Sequence, residues 1–183
     1  MARVLDLGCG TGGHQERTDF LPDDEVTGVD IDEGRLVEAR RRFPRRTFQC
    51  ARGESLPFPS ASFDRVVSNV ALPYMDIPKA LAEMQRVLKP GGSVLLSFHP
   101  WRFTLGEFRN AVPHPVAISF RLFVLLNGVY FHFTGRVFRV VGRSESFQTE
   151  RGLRLAMARA GFVSLVFSRP VGRLIVRANS AGN

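Results

Sequence analysis

Val4-Leu5-Asp6-Leu7-Gly8-Cys9-Gly10-Thr11-Gly12-Gly13, followed downstream by Val29-Asp30, is the stretch that decides the fold. A short apolar strand runs directly into a glycine-rich turn, and an aspartate closes the next strand eighteen residues after Gly12. This is the pattern of an adenosine-cofactor site at the carboxyl edge of a parallel sheet. Glycines let the backbone turn tightly and approach a ligand where a Cβ would intervene. Asp30 is then placed to accept hydrogen bonds from ribose hydroxyls.

The glycines leave the cofactor open. Gly8, Gly10 and Gly13 satisfy G-x-G-x-x-G, and Gly8, Gly10 and Gly12 satisfy the tighter G-x-G-x-G. Asp6 discriminates better. A dinucleotide lays a negative pyrophosphate over this turn, and an adjacent carboxylate repels it. S-adenosylmethionine has no phosphate, and its ammonium and sulfonium outweigh its carboxylate, so Asp6 favours it. The plainer role for Asp6 is a local cap of the following turn.

Four ordered segments resemble the class I S-adenosylmethionine-dependent methyltransferases, in particular the small-molecule branch that includes ubiquinone and menaquinone C-methyltransferases. Val4 to Gly12 is similar to that family's motif I, and Val26 to Asp32 to its ribose-binding segment. Leu56-Pro57-Phe58-Pro59 leading to Ser62-Phe63-Asp64 resembles the stretch before its fourth strand. Ala80-Leu81 through Arg86-Val87-Leu88-Lys89-Pro90-Gly91-Gly92 resembles its helix and turn before strand 5. The resemblance implies S-adenosyl-L-methionine as cofactor and Asp6, Gly8, Cys9, Gly10, Gly12, Asp30, Ile31, Arg52, Gly53, Glu54 and Asn69 as its site. It implies a doubly wound, mostly parallel seven-stranded α/β sheet of Rossmann-like methyltransferase type, in strand order 3-2-1-4-5-7-6.

The chain departs from that family in three places. It opens almost directly on strand 1, where family members carry one or two helices that cover the cofactor. Cover is then expected from a later segment or from a second subunit, as in a homodimer. Arg52 stands where relatives place an aspartate for the adenine amino group, although Gly53 and Glu54 match. Strand 4 ends Ser68-Asn69-Val70-Ala71-Leu72-Pro73-Tyr74 rather than in the Asn/Asp-Pro-Pro-aromatic tetrapeptide of amino-methylating DNA enzymes. That argues against nucleic acid as the acceptor.

Length and composition bound the rest. The 183 residues form a single domain large enough for a sizeable core, and 44% hydrophobic content is ordinary for a globular chain. Cys9 and Cys50 give neither a disulfide framework nor a metal-ligand spacing, which, with no secretory leader in view, points to the cytoplasm. The apolar run Val116 to Phe133 is interrupted by Arg121 and Asn127-Gly128, and reads too short for a membrane span. Net charge is +8, with all but two of the 25 basic residues arginine. The densest cluster, Arg40 to Arg46, follows a helical pattern stopped by Pro44, and cations suit a helix C-terminus. An RNA or anionic-surface contact is the alternative role for it.

Strands are expected at Arg3–Leu7, Glu25–Asp30, Thr47–Cys50, Phe63–Asn69 and Ser93–Phe98. A short helix should follow the glycine turn, another runs from an Asp32 or Glu33 cap to Phe43, and a third covers Ile77–Leu88. A helix from Gln148 to Ala160 ends at Gly161, and a final hairpin pairs Val163–Ser168 with Arg173–Ala178 around Pro170 and Gly172. Residues 99 to 147 break the alternation. They hold eight of the sixteen phenylalanines, the only tryptophan and one of two tyrosines. Asn127-Gly128 is a strong hairpin signal, and Arg136 to Val140 alternates, so this segment reads as an antiparallel β-unit inserted after strand 5 on the substrate side.

Methyl transfer is an in-line displacement on an already activated sulfonium, so alignment supplies most of the rate. His99, just after strand 5, is the best base candidate; a surface or capping histidine beside Pro100 is the plainer role. His114 and His132 are weaker candidates, and Tyr74, after strand 4, is read as orienting a substrate or simply packing over the cofactor. Trp101, Phe103, Phe108, Phe120, Phe123, Tyr130, Phe131 and Phe138 suggest an apolar, aromatic or isoprenoid-like acceptor methylated on oxygen or carbon, unless these rings form the segment's own core. Two other functions fit parts of the pattern: a cofactor-binding but inactive partner subunit, and a nicotinamide oxidoreductase.

Overall fold

The computed structural model describes residues 1–13, 20–99, 115–170 and 173–181. Seven strands form one sheet in the order β3-β2-β1-β4-β5-β7-β6. They are β1 (Arg3–Leu7), β2 (Glu25–Asp30), β3 (Thr47–Cys50), β4 (Phe63–Asn69), β5 (Leu88–Phe98), β6 (Phe162–Ser168) and β7 (Leu174–Ser180). The first five pair in parallel, and β7 runs antiparallel to both β5 and β6. Val4, Leu5 and Leu7 of β1 are buried, as expected of a central strand covered on both faces.

The helices form where caps and apolar spacing agree. The Asp32 carboxylate accepts from the Arg35 amide (3.2 Å) and starts α1 (Glu33–Arg42), with Glu33 in its first turn and Arg40, Arg41 and Arg42 in its last. α2 (Ile77–Val87) begins at the Asp76 cap and buries Ile77, Ala80, Leu81, Met84 and Val87, one stripe at helical spacing. Thr149 caps α4 (Glu150–Arg159) by accepting from the Gly152 amide (3.2 Å). β5 begins five residues earlier than Ser93, because Leu88 already pairs with Phe63 before the register shifts through Pro90-Gly91-Gly92. The expected short helix after the glycine turn falls on residues 14–19, outside the described residues.

The inserted antiparallel β-unit is not what forms. Residues Pro115–Thr134 make one 20-residue helix, α3, which lies against α4. Arg136 to Val140 is not a strand; Val140 and Arg143 make a single isolated bridge. The Asn127-Gly128 pair misled for a physical reason. Asn127 is fully buried in the helix, and its Nδ2 donates to the carbonyls of Phe138 (3.1 Å), Ser144 (3.0 Å) and Glu145 (3.1 Å). Its Oδ1 accepts from the Phe138 amide (2.9 Å). A Cβ on Gly128 would lie 2.1 Å from the Phe147 ring. Both residues serve the docking of the following segment on α3 rather than a chain reversal.

α3 also corrects the reading of Val116–Phe133 as too short and interrupted. By length and composition alone it is long and apolar enough to cross a membrane. In the fold Phe131 is fully buried in the main core, while Leu122, Leu126, Val129 and Phe133 are exposed.

Candidate active site

A cleft of about 630 Å³ opens at the carboxyl ends of β1, β2 and β4. β1 is where the strand order reverses, β2 lying on one side and β4 on the other, and such switch points are where open α/β sheets bind ligands. Gly8, Cys9, Gly10, Asp30, Ile31, Arg52, Gly53, Glu54 and Asn69 all line this cleft. Residues 45 or more positions apart in sequence therefore meet along one sheet edge.

Asp30 organises the wall. Its Oδ2 accepts from the Gly10 amide (2.9 Å) and its Oδ1 from the Asp32 amide (3.0 Å). The Gly8 and Cys9 amides both donate to the Val29 carbonyl (2.7 and 3.0 Å), so the turn after β1 is fastened to the end of β2. Gly10 has φ +54 and nothing within 4 Å of where its Cβ would stand, which leaves the space above it open. Gly8 differs: at φ +76, a Cβ there would lie 2.1 Å from the Ala71 Cβ. Gly8 thus admits the loop after β4, whereas Gly10 keeps the cleft clear.

The opposite wall comes from the loops after β3 and β4. Glu54 receives the Asp76 amide through Oε1 (3.0 Å) and stands 3.6 Å from the Arg52 guanidinium. The loop itself is tied to α2: Leu56 donates its amide to Glu83 (2.7 Å), and Arg86 donates to the carbonyls of Leu56 (3.0 Å) and Phe58 (2.7 Å). Ser97 donates its hydroxyl to Asn69 Oδ1. Val70, the next residue, holds φ +60, a strained conformation for a β-branched side chain. That turn carries Ala71, Tyr74 and Met75 into the cleft wall. Val70, Ala71 and Met75 had no signature of their own in the sequence.

The matching protein-family model is described as a methyltransferase domain and spans residues 5–96, half of the chain. The chain belongs to the methyltransferase domain family. S-adenosylmethionine is the cofactor of this family and fold. A malonyl-[acyl-carrier protein] O-methyltransferase of Erwinia pyrifoliae is 44% identical over 96 residues, covering 52% of this chain and 36% of that protein. A demethylmenaquinone methyltransferase of Symbiobacterium thermophilum is 41% identical over 98 residues, covering 49% and 39%. The match thus extends over well under half the length of these curated relatives. Among solved structures, a SAM-dependent methyltransferase of Methanosarcina mazei superposes with a TM-score of 0.68 at 19% identity, covering 100% of this chain and 93% of that one, a likeness of fold.

Within this methyltransferase domain the remaining expected site residues separate. Asp6 is buried beneath the glycine turn and is not part of the cleft wall, so any influence on a ligand is through its field. Gly12 also lies off the wall: a Cβ there would meet the Phe43 ring at 2.7 Å. Burial, reinforced by the Asp6 and Asp30 carboxylates, pushes the Cys9 thiol far up, which disfavours its thiolate form. The arginine cluster is partly consumed by structure. Arg40 pairs with Glu33 and donates to the Phe48 carbonyl, and Arg42 donates to Thr11. The Arg46 guanidinium lies 4.9 Å from the Phe43 ring centroid.

His99 does not line this cleft. It lies in a second, smaller cavity of about 260 Å³, together with Tyr74, Phe120, Arg121, Val124 and Arg143. Tyr74 borders both cavities. His132 is elsewhere, its Nδ1 3.0 Å from Thr149 Oγ1. Trp101, Phe103, Phe108 and His114 lie outside the described residues. Phe120 stacks near Phe123, and Phe123 and Tyr130 both meet Phe138 at 5.6 Å, so part of the aromatic set forms the packing of α3 on the segment after it.

Proposed function

We propose that this chain transfers the methyl group of S-adenosylmethionine to a small-molecule acceptor with an apolar or aromatic body, on oxygen or carbon. The observation that carries the reading is the Gly10–Asp30 latch beneath an open, ligand-sized cleft at the switch point of the sheet. The residues fit the cofactor. Asp30 still has lone pairs beyond its two backbone bonds and would hold the ribose diol; Ile31 and the backbone around Gly53 would border the adenine. The space above Gly10 accepts the ligand without a Cβ in the way. Arg52, paired with Glu54, would replace the usual adenine-side acceptor with a cation, and the base would then rest on backbone and apolar contacts.

Bound S-adenosylmethionine supplies an electrophilic methyl on a sulfonium. What this chain's own residues do is align: Gly8, Gly10 and Asp30 fix one end of the ligand, while Tyr74, which lines both cavities, stands where the cleft adjoins the second one. We place the acceptor on that side, against the described residues of the later segment that line the second cavity, among them Phe120, Val124 and Phe147. The two relatives' names differ in acceptor, and the family match ends at residue 96, before this segment begins. A homodimer would be one way to cover the cleft further.

The test is calorimetric titration of S-adenosylmethionine against NADH, followed by S-adenosylhomocysteine release with phenolic, quinone-precursor, polyamine and RNA acceptors. Binding of S-adenosylmethionine and turnover of a phenolic or quinone precursor are expected. Preferential turnover of the polyamine or RNA would overturn the acceptor class and return attention to Arg40–Arg46.

A further inference from the structure

α3 is apolar on two faces, and the fold covers only one of them. Val124, Asn127 and Phe131 are buried on the inner face. On the outer face Leu122, Leu126, Val129 and Phe133 recur at i, i+4, i+7 and i+11, one stripe about 16 Å long. Leu126 is 64% exposed and Phe133 61%, and Tyr130 stands exposed beside them. An unbroken apolar stripe left in water marks a surface that something else covers.

The cations around the stripe select what covers it. Phe133, its last member, has the Arg151 guanidinium 5.6 Å from its ring centroid. The Arg159 guanidinium donates to the carbonyl of Thr134, the last residue of α3. Arg136 follows two positions on, its amide donating to Thr134 Oγ1 (3.1 Å). From Thr134 to Ala160 the chain has six arginines against Glu145 and Glu150. Glu150 pairs with Arg154 and Arg169, and among the described residues Arg136, Arg151 and Arg159 enter no ion pair. An apolar stripe that ends in guanidiniums fits hydrocarbon bordered by phosphates. A second copy fits worse, because an isologous contact through this stripe would gather the same arginines from both chains.

α3 cannot cross the lipid, although its length and composition would allow it. Phe131 belongs to the main core, and Asn127 Nδ2 donates to three carbonyls of the segment after α3. A spanning helix would give up both.

We propose that α3 lies on an anionic membrane surface, with Leu122, Leu126, Val129 and Phe133 among the acyl chains and Arg136, Arg151 and Arg159 at the headgroups. Phe120 and Val124, towards the inner face of the same helix, line the second cavity. Docking therefore brings that cavity within about one helix diameter, 10–12 Å, of the lipid. This binding stands apart from methyl transfer, since it needs neither cofactor nor acceptor.

The test is co-sedimentation of the full chain with vesicles of phosphatidylcholine, alone or with about one third phosphatidylglycerol. The anionic vesicles should bind at least about tenfold more tightly, each arginine near the surface contributing about fivefold. Leu122→Gln combined with Leu126→Gln should weaken that binding by about tenfold or more. Arg136→Gln combined with Arg151→Gln should do the same on anionic vesicles and change nothing on neutral ones. Failure to bind the anionic vesicles overturns the proposal, as does equal binding to the neutral ones. Full binding by the leucine variant overturns it too. A dimer in light scattering that the leucine variant dissociates assigns the stripe to a second copy and likewise overturns it. Should a variant fail to fold, the wild-type comparison between the two vesicles decides.

Discussion

The Gly10 amide donates to Asp30 Oδ2 across 2.9 Å, so a single carboxylate latches the turn after β1 to the end of β2. Asp30→Ala removes both this latch and the acceptor proposed for the ribose. S-adenosylmethionine affinity should fall by about ten- to a hundredfold, the worth of one or two hydrogen bonds to a charged group. Calorimetric titration checks this; an unchanged Kd would remove Asp30 from the site.

Two glycines two residues apart should behave oppositely. Gly10→Ala puts a methyl into open space at φ +54, costing the fold about 1–2 kcal/mol while obstructing the ligand. Gly8→Ala drives a methyl to 2.1 Å from Ala71, so about 2–4 kcal/mol of stability should be lost. Thermal unfolding alongside cofactor titration separates the two. Equal melting temperatures for the variants would contradict the placement of Ala71 over Gly8.

Asn127→Ala would strip a buried amide from three carbonyls and one N–H. A loss of about 2–4 kcal/mol is expected, since each orphaned buried group is penalised in full. Hydrogen exchange should rise in residues 138–145 and not in β1 or β2. Cofactor affinity should stay near wild type, because none of these groups touches the cleft.

Acid should loosen the loop that bears Arg52 and Glu54. The hydrogen-bonded Arg86 guanidinium, helped by the Leu56 amide, holds the Glu83 carboxyl below its ordinary value. A depressed folded-state value means this contribution is fully present above the ordinary glutamate range, about 4.3, and is lost as pH falls through the lower folded value. Glu83→Gln should lower stability by about 1–3 kcal/mol at neutral pH and remove that part of the acid dependence. Denaturant midpoints measured from pH 3 to 7 for both proteins would show whether the two curves converge at the acid end.

The sheet and the residues that gather at its carboxyl edge were legible in the sequence because their signals are local. Glycine at the turn, Asp30 at a strand end, the Asp32 cap and the Ile77–Val87 stripe each carry their reason within a few residues. The segment after β5 was not legible. α3 is apolar on nearly every side, so neither period stands out, and Asn127-Gly128 has the composition of a turn while serving a tertiary contact. Met75 and Phe147 matter only through what folds beside them: Gly53 for one, a cavity for the other. Spacing along the chain contains neither fact.

β7 lies inside the sheet, between β5 and β6, with Ser93 facing Asn179 across 86 positions of chain. During synthesis, β1 to β5 can pair as they emerge, but the flank of β5 stays bare until residue 180 has left the ribosome. A growing chain therefore passes through a stage in which an apolar strand edge is exposed, and such edges recruit neighbouring chains. Closure by so distant a partner is also slow, because the intervening loop must be ordered first. Yield in the cell should accordingly depend on how quickly the last strand arrives, more than on the final stability of the folded protein.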